Sequence, residues 1–249
     1  MKSNVTIVTA FITSVNKRRD RGTNWYLERG KKLLSLPIPK IVFIQKELIY
    51  LIQSAHPSFN YYIPFDISEI YLFKFREKLN NVVTTNNPLK DTLEYFMVQC
   101  NKTEWMRSAI EVNNFKTDQF IWMDFGIYQF YEQEYDKNIN EYFTADLMRV
   151  TEKKYKNIRF PYIWPIDEFL KIKNPKLSVL WFFPGSLFGG NKKSLLEFAH
   201  RMQIKCLDLV ESKNILLWEV NIWPEIYFDC PELFNLYYGD HSPKILLNY

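Results

Sequence analysis

Short apolar runs alternate with segments of helical periodicity along the first half of this chain. Residues 5–13 and Lys40–Gln45 are rich in β-branched and apolar side chains, which is typical of buried strands. Between them, apolar residues recur over residues 26–34 at the spacing of a helix. Helices that alternate with buried strands are typical of a parallel sheet covered on both faces. The pattern therefore predicts an α/β fold, with a mostly parallel, Rossmann-like central sheet flanked by helices.

Further elements along the chain extend this pattern. We expect strands at residues 61–65, 118–127 and 177–183, and helices at residues 46–54, 88–110, 139–150, 192–210, 220–228 and 231–237. The helical segment at 88–110 should break near Asn101. Because the sequence has no internal repeat, no low-complexity tract and no clear linker, we expect a single domain over residues 1–249.

Composition narrows the class of protein. The sequence has no run of about 18 apolar residues, so we expect no transmembrane segment. The apolar stretch near the start is short and is followed by basic residues, which favours a first strand over a secretory signal. Three widely spaced cysteines form neither a disulfide framework nor a zinc pattern, so we expect a reducing, cytoplasmic setting. The net charge of +4 is too small for a dedicated nucleic-acid binder, and no nucleic-acid partner is expected.

Charged residues follow two of the predicted strands. Asp124 stands where the apolar run DQFIWMD meets a glycine, and the first strand is followed by four basic residues, Lys17, Arg18, Arg19 and Arg21. Ligands of open parallel sheets bind outside the carboxyl ends of the strands. A carboxylate there can ligate a divalent metal, and guanidinium groups match the oxygens of a diphosphate. The alternatives are an aspartate that caps a turn and a solvated surface loop.

The chain has only 7 glycines, and three of them fall between residues 185 and 190. Gly189 and Gly190 would let a ligand approach the backbone closely. They precede a predicted helix that begins near Asn191, and the free N–H groups of a helix start favour anions or sugar hydroxyls. A plain tight turn is the alternative.

Three residues in the last part of the sequence carry chemistry that a site can use. Glu219 ends a short apolar segment, so it is either a half-buried general base or an acid in the first turn of a helix. His241 is one of 3 histidines and can complete a metal site with Asp124. Lys244 can neutralise a phosphate. Alternatively, His241 is an ordinary surface residue.

Five ordered segments resemble the HtrL/YibB family of bacterial and viral proteins. They are TIVTAFIT (6–13), NWYLERGKKLLSLPIPKIVFIQKE (24–47), NKTEWMRSAIEVNNFKTDQFIWMDFGI (101–127), GSLFGGNKKSLLEF (185–198) and WEVNIWPEIYFDCPELFNLYYGDH (218–241). Their order covers most of the chain, and residues 136–176 match least. The resemblance implies a glycosyltransferase-like protein of the GT-A fold, located in the host cytoplasm if the chain is viral.

The resemblance to GT-A proteins also implies site residues. Their Asp-x-Asp metal motif is similar to the tripeptide Trp-Met-Asp that ends at Asp124, in which only the final acid is present. Their glycine-rich loop resembles residues 185–190, and their short acidic motif resembles the Trp-Glu pair that ends at Glu219. Their metal-binding histidine resembles His241, with Lys244 placed like the diphosphate lysine of some members.

The implied reaction, a step of glycan biosynthesis, moves a hexosyl or pentosyl group from a nucleotide-diphosphate sugar donor to a hydroxyl of a glycan or another acceptor. Mn²⁺ or Mg²⁺, held by Asp124 and His241, would assist the leaving group. Glu219 would deprotonate the acceptor if the enzyme inverts configuration, whereas a retaining enzyme would not need that base. The expected donor-binding residues are Thr9, Ala10, Phe11, Arg18, Arg21, Lys102, Asp124, Gly189, Gly190 and Lys244.

Other functions are compatible with parts of the sequence. A non-catalytic protein that binds nucleotide or glycan would explain the incomplete acidic motif. A nucleic-acid binder could use the basic turn, but the net charge disfavours it. A metal-dependent phosphohydrolase normally needs more clustered carboxylates and histidines than this sequence offers.

Overall fold

The computed structural model describes residues 4–15, 20–79, 85, 87–172 and 178–249, and within them seven strands form one sheet. The strands are β1 (Val5–Phe11), β2 (Lys40–Gln45), β3 (Asn60–Phe65), β4 (Gln119–Met123), β5 (Ile158–Tyr162), β6 (Leu187–Asn191) and β7 (Phe234–Tyr238). Their order is β3-β2-β1-β4-β6-β5-β7, and only β6 runs antiparallel to its neighbours. The predicted α/β fold with a mostly parallel central sheet is confirmed.

Helices flank the sheet. The α-helices of the described residues are α1 (Thr23–Leu34), α2 (Leu93–Cys100), α3 (Lys102–Val112), α4 (Gln129–Glu134), α5 (Ile139–Thr151), α6 (Ile166–Leu170), α7 (Lys192–Lys213), α8 (Glu219–Asp229) and α9 (Lys244–Leu247). Short 3-10 helices occupy Lys46–Leu51, Ile67–Glu69, Phe73–Phe75 and Pro231–Leu233. None of the helices in the described part of the chain combines the length and the apolar character needed to cross a bilayer.

The central strand β4 sends alternate side chains into two different cores. Phe120 and Trp122 pack with residues of α2, α3, α7 and α8. Ile121 and Met123 pack instead with residues of α4, α5 and α9. Because successive side chains of a strand point to opposite faces, a strand covered on both faces is apolar throughout. This explains the unbroken apolar run that ends at Asp124.

Two helix boundaries bear on the site and agree with the sequence. Asn101 separates α2 from α3, so Lys102 becomes the first residue of α3. Asn191 caps α7, and its side-chain oxygen accepts a hydrogen bond from the backbone N–H of Ser194 at 2.9 Å. The two asparagines therefore mark where α3 and α7 begin.

The second half of the sheet differs from the sequence prediction. Residues 178–183 do not form a strand but an irregular segment, in which Phe182 and Phe183 are buried and the ring of Phe183 lies 4.5 Å from that of Phe160. Residues 231–237 form a 3-10 turn followed by β7 and not a helix. The strands β5 and β6 were not predicted, since a proline and two glycines lower the strand propensity of IRFPY and LFGGN.

Candidate active site

A cavity of about 380 Å³ opens at the carboxyl edge of the sheet. Its walls include Ala10 and Phe11 at the end of β1, Asp124 directly after β4, and Gly185 before β6. The chain leaves β1 for β2 on one side, while β4 pairs with β1 on the other, so a crevice forms where the strand order reverses. Since β6 runs in the opposite direction, its beginning lies at this same edge. Small-molecule sites commonly have volumes of about 300–1,000 Å³.

The ammonium group of Lys102 joins three segments of the cavity wall. It donates hydrogen bonds to Oε1 of Glu219 and to the carbonyl oxygen of Gly185, each at 2.9 Å. The same nitrogen lies 3.4 Å from Oδ1 of Asp124. The side chains of Lys102 and Glu219 are buried, whereas that of Asp124 is 39% exposed. One cation therefore connects the first turn of α3, the loop before β6 and the first residue of α8.

The charges around Lys102 compensate for an unfavourable position. Burial lowers the pKa of Lys102. The negative charges of Asp124 and Glu219 raise it by a larger amount, so the pKa of Lys102 lies above its usual value. A lysine at the first position of a helix is opposed by the helix dipole, and an unpaired buried cation is costly. The two carboxylates therefore keep a protonated ammonium group inside the protein.

Gly185 leaves the space in which this network forms. A Cβ atom on Gly185 would lie 2.5 Å from Oε1 of Glu219 and 3.1 Å from Nζ of Lys102. Any other residue would thus push the carboxylate or the ammonium group out of place. Of the three glycines that the sequence places between residues 185 and 190, this is the one in the cavity wall.

Asp124 is held in a fixed orientation. Its Oδ1 accepts a hydrogen bond from the indole Nε1 of Trp122 at 3.0 Å, and its backbone N–H donates to the carbonyl oxygen of Ser186 at 2.9 Å. The Trp122 ring is stacked between Trp105 and Phe188. Among the described residues, no group donates a hydrogen bond to Oδ2 of Asp124. Oδ2 is therefore the oxygen that a ligand can use.

His241 lies in the wall of the same cavity. Its ring packs edge-on against Trp181, with 4.8 Å between the ring centroids, and lies 5.8 Å from the Phe130 ring. Although the residue keeps contact with solvent, burial of its imidazole lowers the pKa of His241 below the usual value, while Asp124 acts to raise it. The lowered pKa favours the neutral imidazole, which is the form that binds metals.

Asp124 and His241 fit a divalent metal as a partial set of ligands. A carboxylate oxygen and a neutral imidazole both suit Mn²⁺. Glu219 is engaged by Lys102, and the described residues contain no group of three histidine, cysteine or acidic side chains placed to hold a metal ion by themselves. Protein sites for Mg²⁺ often offer one or two carboxylates, and substrate phosphates and water complete the shell. Asp124 and His241 would thus supply only part of the shell of such an ion, and the other ligands would come from outside these two residues.

The cavity brings together many of the residues that the sequence singled out. Those that line it are Ala10, Phe11, Arg21, Lys102, Asp124, Glu219 and His241. Thr9 is buried within β1, one residue before the lining begins. Arg18 lies outside the described residues, as do Lys17 and Arg19.

Gly189 and Gly190 were predicted to lie beside the donor, but they lie within β6 and away from the cavity. They pair with Ile121 and Phe120 of β4. A Cβ atom on Gly190 would lie 2.7 Å from the carbonyl oxygen of Asn157, and one on Gly189 would collide with the Tyr249 hydroxyl. The two glycines are therefore needed for close packing inside the sheet and not for approach of a ligand.

Lys244 was predicted to bind diphosphate, but its side chain does not line the cavity. It stands at the start of α9, where its ammonium group lies 3.8 Å from Asp240 and 5.9 Å from the ring of Tyr238. Its side chain is 56% exposed. The spacing from His241 suggested proximity, but the turn into α9 directs the lysine elsewhere.

Lys90 and Ser186 line the cavity and were not identified from the sequence. The Lys90 ammonium group lies 5.3 Å from the ring of Trp218. The sequence predicted a helix over residues 88–110, but α2 begins only at Leu93 and Lys90 lies in a turn before it, so only the folded chain shows its position. Ser186 could have been identified from the sequence, because it directly follows Gly185 in the predicted glycine-rich loop.

No family model matches the chain, and no curated protein is significantly similar to it. Solved structures that resemble it loosely include the following three. The apo form of mouse xyloside xylosyltransferase 1 is 12% identical with a TM-score of 0.46, and the match covers 94% of this chain and 84% of that one. A glycosyltransferase involved in the glycosylation of the major capsid of PBCV-1 is 14% identical with a TM-score of 0.42, over 96% and 81%. The 4-diphosphocytidyl-2C-methyl-D-erythritolsynthase of Anaerococcus prevotii is 11% identical with a TM-score of 0.42, over 95% and 87%.

Proposed function

We propose that this chain is a glycosyltransferase of the HtrL/YibB type that transfers a sugar from a nucleotide-diphosphate donor to a hydroxyl acceptor. The observation that carries the proposal is the convergence of Asp124, Glu219 and His241 on one cavity at the switch point of the sheet. Asp124 is distant in sequence from Glu219 and His241, which both lie in residues 218–241. A site of this kind in an open α/β sheet suits a nucleotide-like ligand.

The segments that resemble the HtrL/YibB family supply much of this cavity. The cavity-lining residues Ala10, Lys102, Asp124, Ser186 and Glu219 each lie in one of them. In the part with the weakest resemblance, residues 136–176, none of the described residues, 136–172, lines the cavity. This agreement between two independent observations supports the same function for the site.

Side chains other than Lys102 would neutralise most of the negative charge of the ligand. Lys102 donates hydrogen bonds to Glu219 and Gly185 and lies close to Asp124, so the N–H groups of its ammonium are already engaged and do not suit a phosphate. Arg21 and Lys90 line the cavity and can approach phosphate oxygens. A divalent ion, Mn²⁺ or Mg²⁺, bound by Asp124 and His241 would supply further positive charge for the leaving diphosphate.

Ligand binding provides the first test. Because a ligand that binds only the folded state raises the melting temperature, nucleoside diphosphates and nucleotide sugars with Mn²⁺ should shift thermal unfolding of the protein. The Asp124→Asn substitution should abolish the Mn²⁺-dependent part of that shift. Asp118→Asn is the matched control, since Asp118 is exposed at the opposite end of β4 and pairs with Lys192. If both variants shift as the parent does, Asp124 has no part in binding the metal.

A second candidate function is a protein that binds a nucleotide sugar without turnover. It is favoured by one observation, namely that Lys102 neutralises part of the acidic charge that would otherwise hold a metal. Release of nucleoside diphosphate from a bound nucleotide sugar, with or without an acceptor, separates the two functions. Binding without any release would leave the protein as a binding module.

A further inference from the structure

Three neighbouring residues of the cavity wall each carry a buried polar atom that has no hydrogen-bond partner among the described residues. These atoms are Oε2 of Glu219, Oγ of Ser186 and Nε1 of Trp218. All three residues line the cavity, and each is at most 5% exposed. Buried polar groups are nearly always paired in folded proteins, so unpaired ones on residues that line a cavity favour a partner among the ligands of that cavity.

The chemistry of the three atoms specifies that partner. The carboxylate oxygen of Glu219 only accepts hydrogen bonds, the indole nitrogen of Trp218 only donates them, and the hydroxyl of Ser186 does both. A single group that can satisfy all of these is a hydroxyl, and neighbouring hydroxyls occur together on a sugar ring. Other atoms in this wall, such as the Gly185 carbonyl oxygen, are already used by Lys102.

The three groups are also fixed in place. Lys102 holds Glu219 through its other carboxylate oxygen, and the backbone N–H of Asp124 holds the Ser186 carbonyl oxygen. The Trp218 ring packs against Trp181, with 6.0 Å between the ring centroids. Groups that are already positioned lose little freedom when a ligand binds, which favours specific recognition.

We infer that this part of the cavity wall, formed by Ser186, Trp218 and Glu219, is the subsite for the sugar of the donor, and that it selects a neutral sugar rich in hydroxyls. The inference rests on the proposed function, because it assumes a nucleotide-sugar donor. A sugar that carries a carboxylate would bring a second negative charge close to Glu219, where like charges repel each other in a poorly solvated space. In this assignment Glu219 binds the donor sugar through Oε2.

The test compares the parent with Glu219→Gln and Ser186→Ala, in calorimetric titrations with Mn²⁺. The ligands are UDP, GDP, CDP and ADP, followed by the hexose and hexuronic acid conjugates of the base that binds best. The parent should bind the hexose conjugate about tenfold more tightly than the hexuronic acid conjugate. Glu219→Gln should weaken binding of the hexose conjugate about tenfold, and Ser186→Ala should weaken it about threefold. The affinity of both variants for the nucleoside diphosphate should stay within about twofold of that of the parent.

Controls and contrary outcomes separate this inference from the proposed function. Glu225→Gln is the matched control, since Glu225 lies on α8 as Glu219 does but is exposed and pairs with Lys205. The melting temperature of each variant shows that it is folded. If nucleoside diphosphates bind but Glu219→Gln and Ser186→Ala leave the hexose conjugate unaffected, the subsite is wrong and the proposed function stands. If Glu219→Gln lowers only turnover, Glu219 is a base. If no nucleotide binds, the proposed function and the subsite both fail.

Discussion

Lys102 shows how one side chain can hold distant parts of a chain together. Its ammonium group lies within hydrogen-bond or ion-pair distance of Glu219, Gly185 and Asp124. The sequence suggested only that Lys102 reaches the donor, because helix periodicity does not show which partners surround a helix start. In the structure its ammonium group contacts the acidic groups of the site.

Removal of the Lys102 charge should destabilise the protein strongly. Lys102→Met leaves the buried carboxylate of Glu219 without its cation, and breaking a buried ion pair from one side typically costs about 3–5 kcal/mol. We expect a loss of this size in the free energy of unfolding, measured by urea denaturation at pH 7.

A double substitution checks the cause of that loss. Lys102→Met combined with Glu219→Gln removes the unpaired charge as well, so it should recover at least about 1 kcal/mol relative to Lys102→Met alone. Additive effects of the two substitutions would mean that the pair contributes no coupling energy.

At the scale of secondary structure elements, the sequence predicts the first half of the sheet well. Strands β1, β2 and β4 are apolar throughout because both of their faces are covered, and that pattern is visible without a structure. The same pattern does not predict strands β5 and β6, since β5 contains a proline and β6 contains Gly189 and Gly190. Their pairing depends on close backbone contacts that only the fold creates.

The same contrast applies to the site. The acid after an apolar strand, the histidine and the glutamate could be predicted, because each stands at the edge of a recognisable segment. The lysine at residue 90 and the buried pairing of Lys102 could not, since they depend on the packing of an irregular stretch and of α3 against α8.

Strand β6 provides a prediction at this scale. Gly190→Ala would place a Cβ atom 2.7 Å from the backbone oxygen of Asn157, which cannot move without disturbing β5. Overpacking of this kind usually costs about 1–3 kcal/mol, so the free energy of unfolding should fall by that amount. Lys193→Ala, in the exposed first turn of α7, is the control and should stay within about 0.5 kcal/mol of the parent. Equal stabilities of the two variants would contradict the tight packing of β6.

At the scale of the whole molecule, Lys40 links stability to pH. It is fully buried in β2, and its Nζ donates to the carbonyl oxygens of Leu36 and Ile38, each at 2.7 Å. Burial lowers the pKa of Lys40 from 10.5 to about 7. Between these two values the unfolded chain binds more protons than the folded one, so the stability of the folded state rises with pH.

Lys40→Met should remove this contribution. The parent should gain stability relative to the variant as the pH rises from about 7 to about 10, by at most about 1.4 kcal/mol per pH unit. Urea denaturation at several pH values gives both curves. Lys193→Met is the control, because an exposed lysine should keep the slope of the parent. Parallel curves for the parent and Lys40→Met would show that Lys40 stays charged in the fold.

The network around Lys102 also has a consequence for the divergence of related chains. A larger residue at 185, a shorter acid at 219 or a neutral residue at 102 would each leave an unmatched charge or a steric collision unless the other positions changed too. During evolution, a substitution at one of these positions should therefore be accompanied by substitutions at the others. Among homologues, residues 102, 124, 185 and 219 should show correlated substitution over sequence separations of up to 117 residues, far more than neighbouring surface positions do.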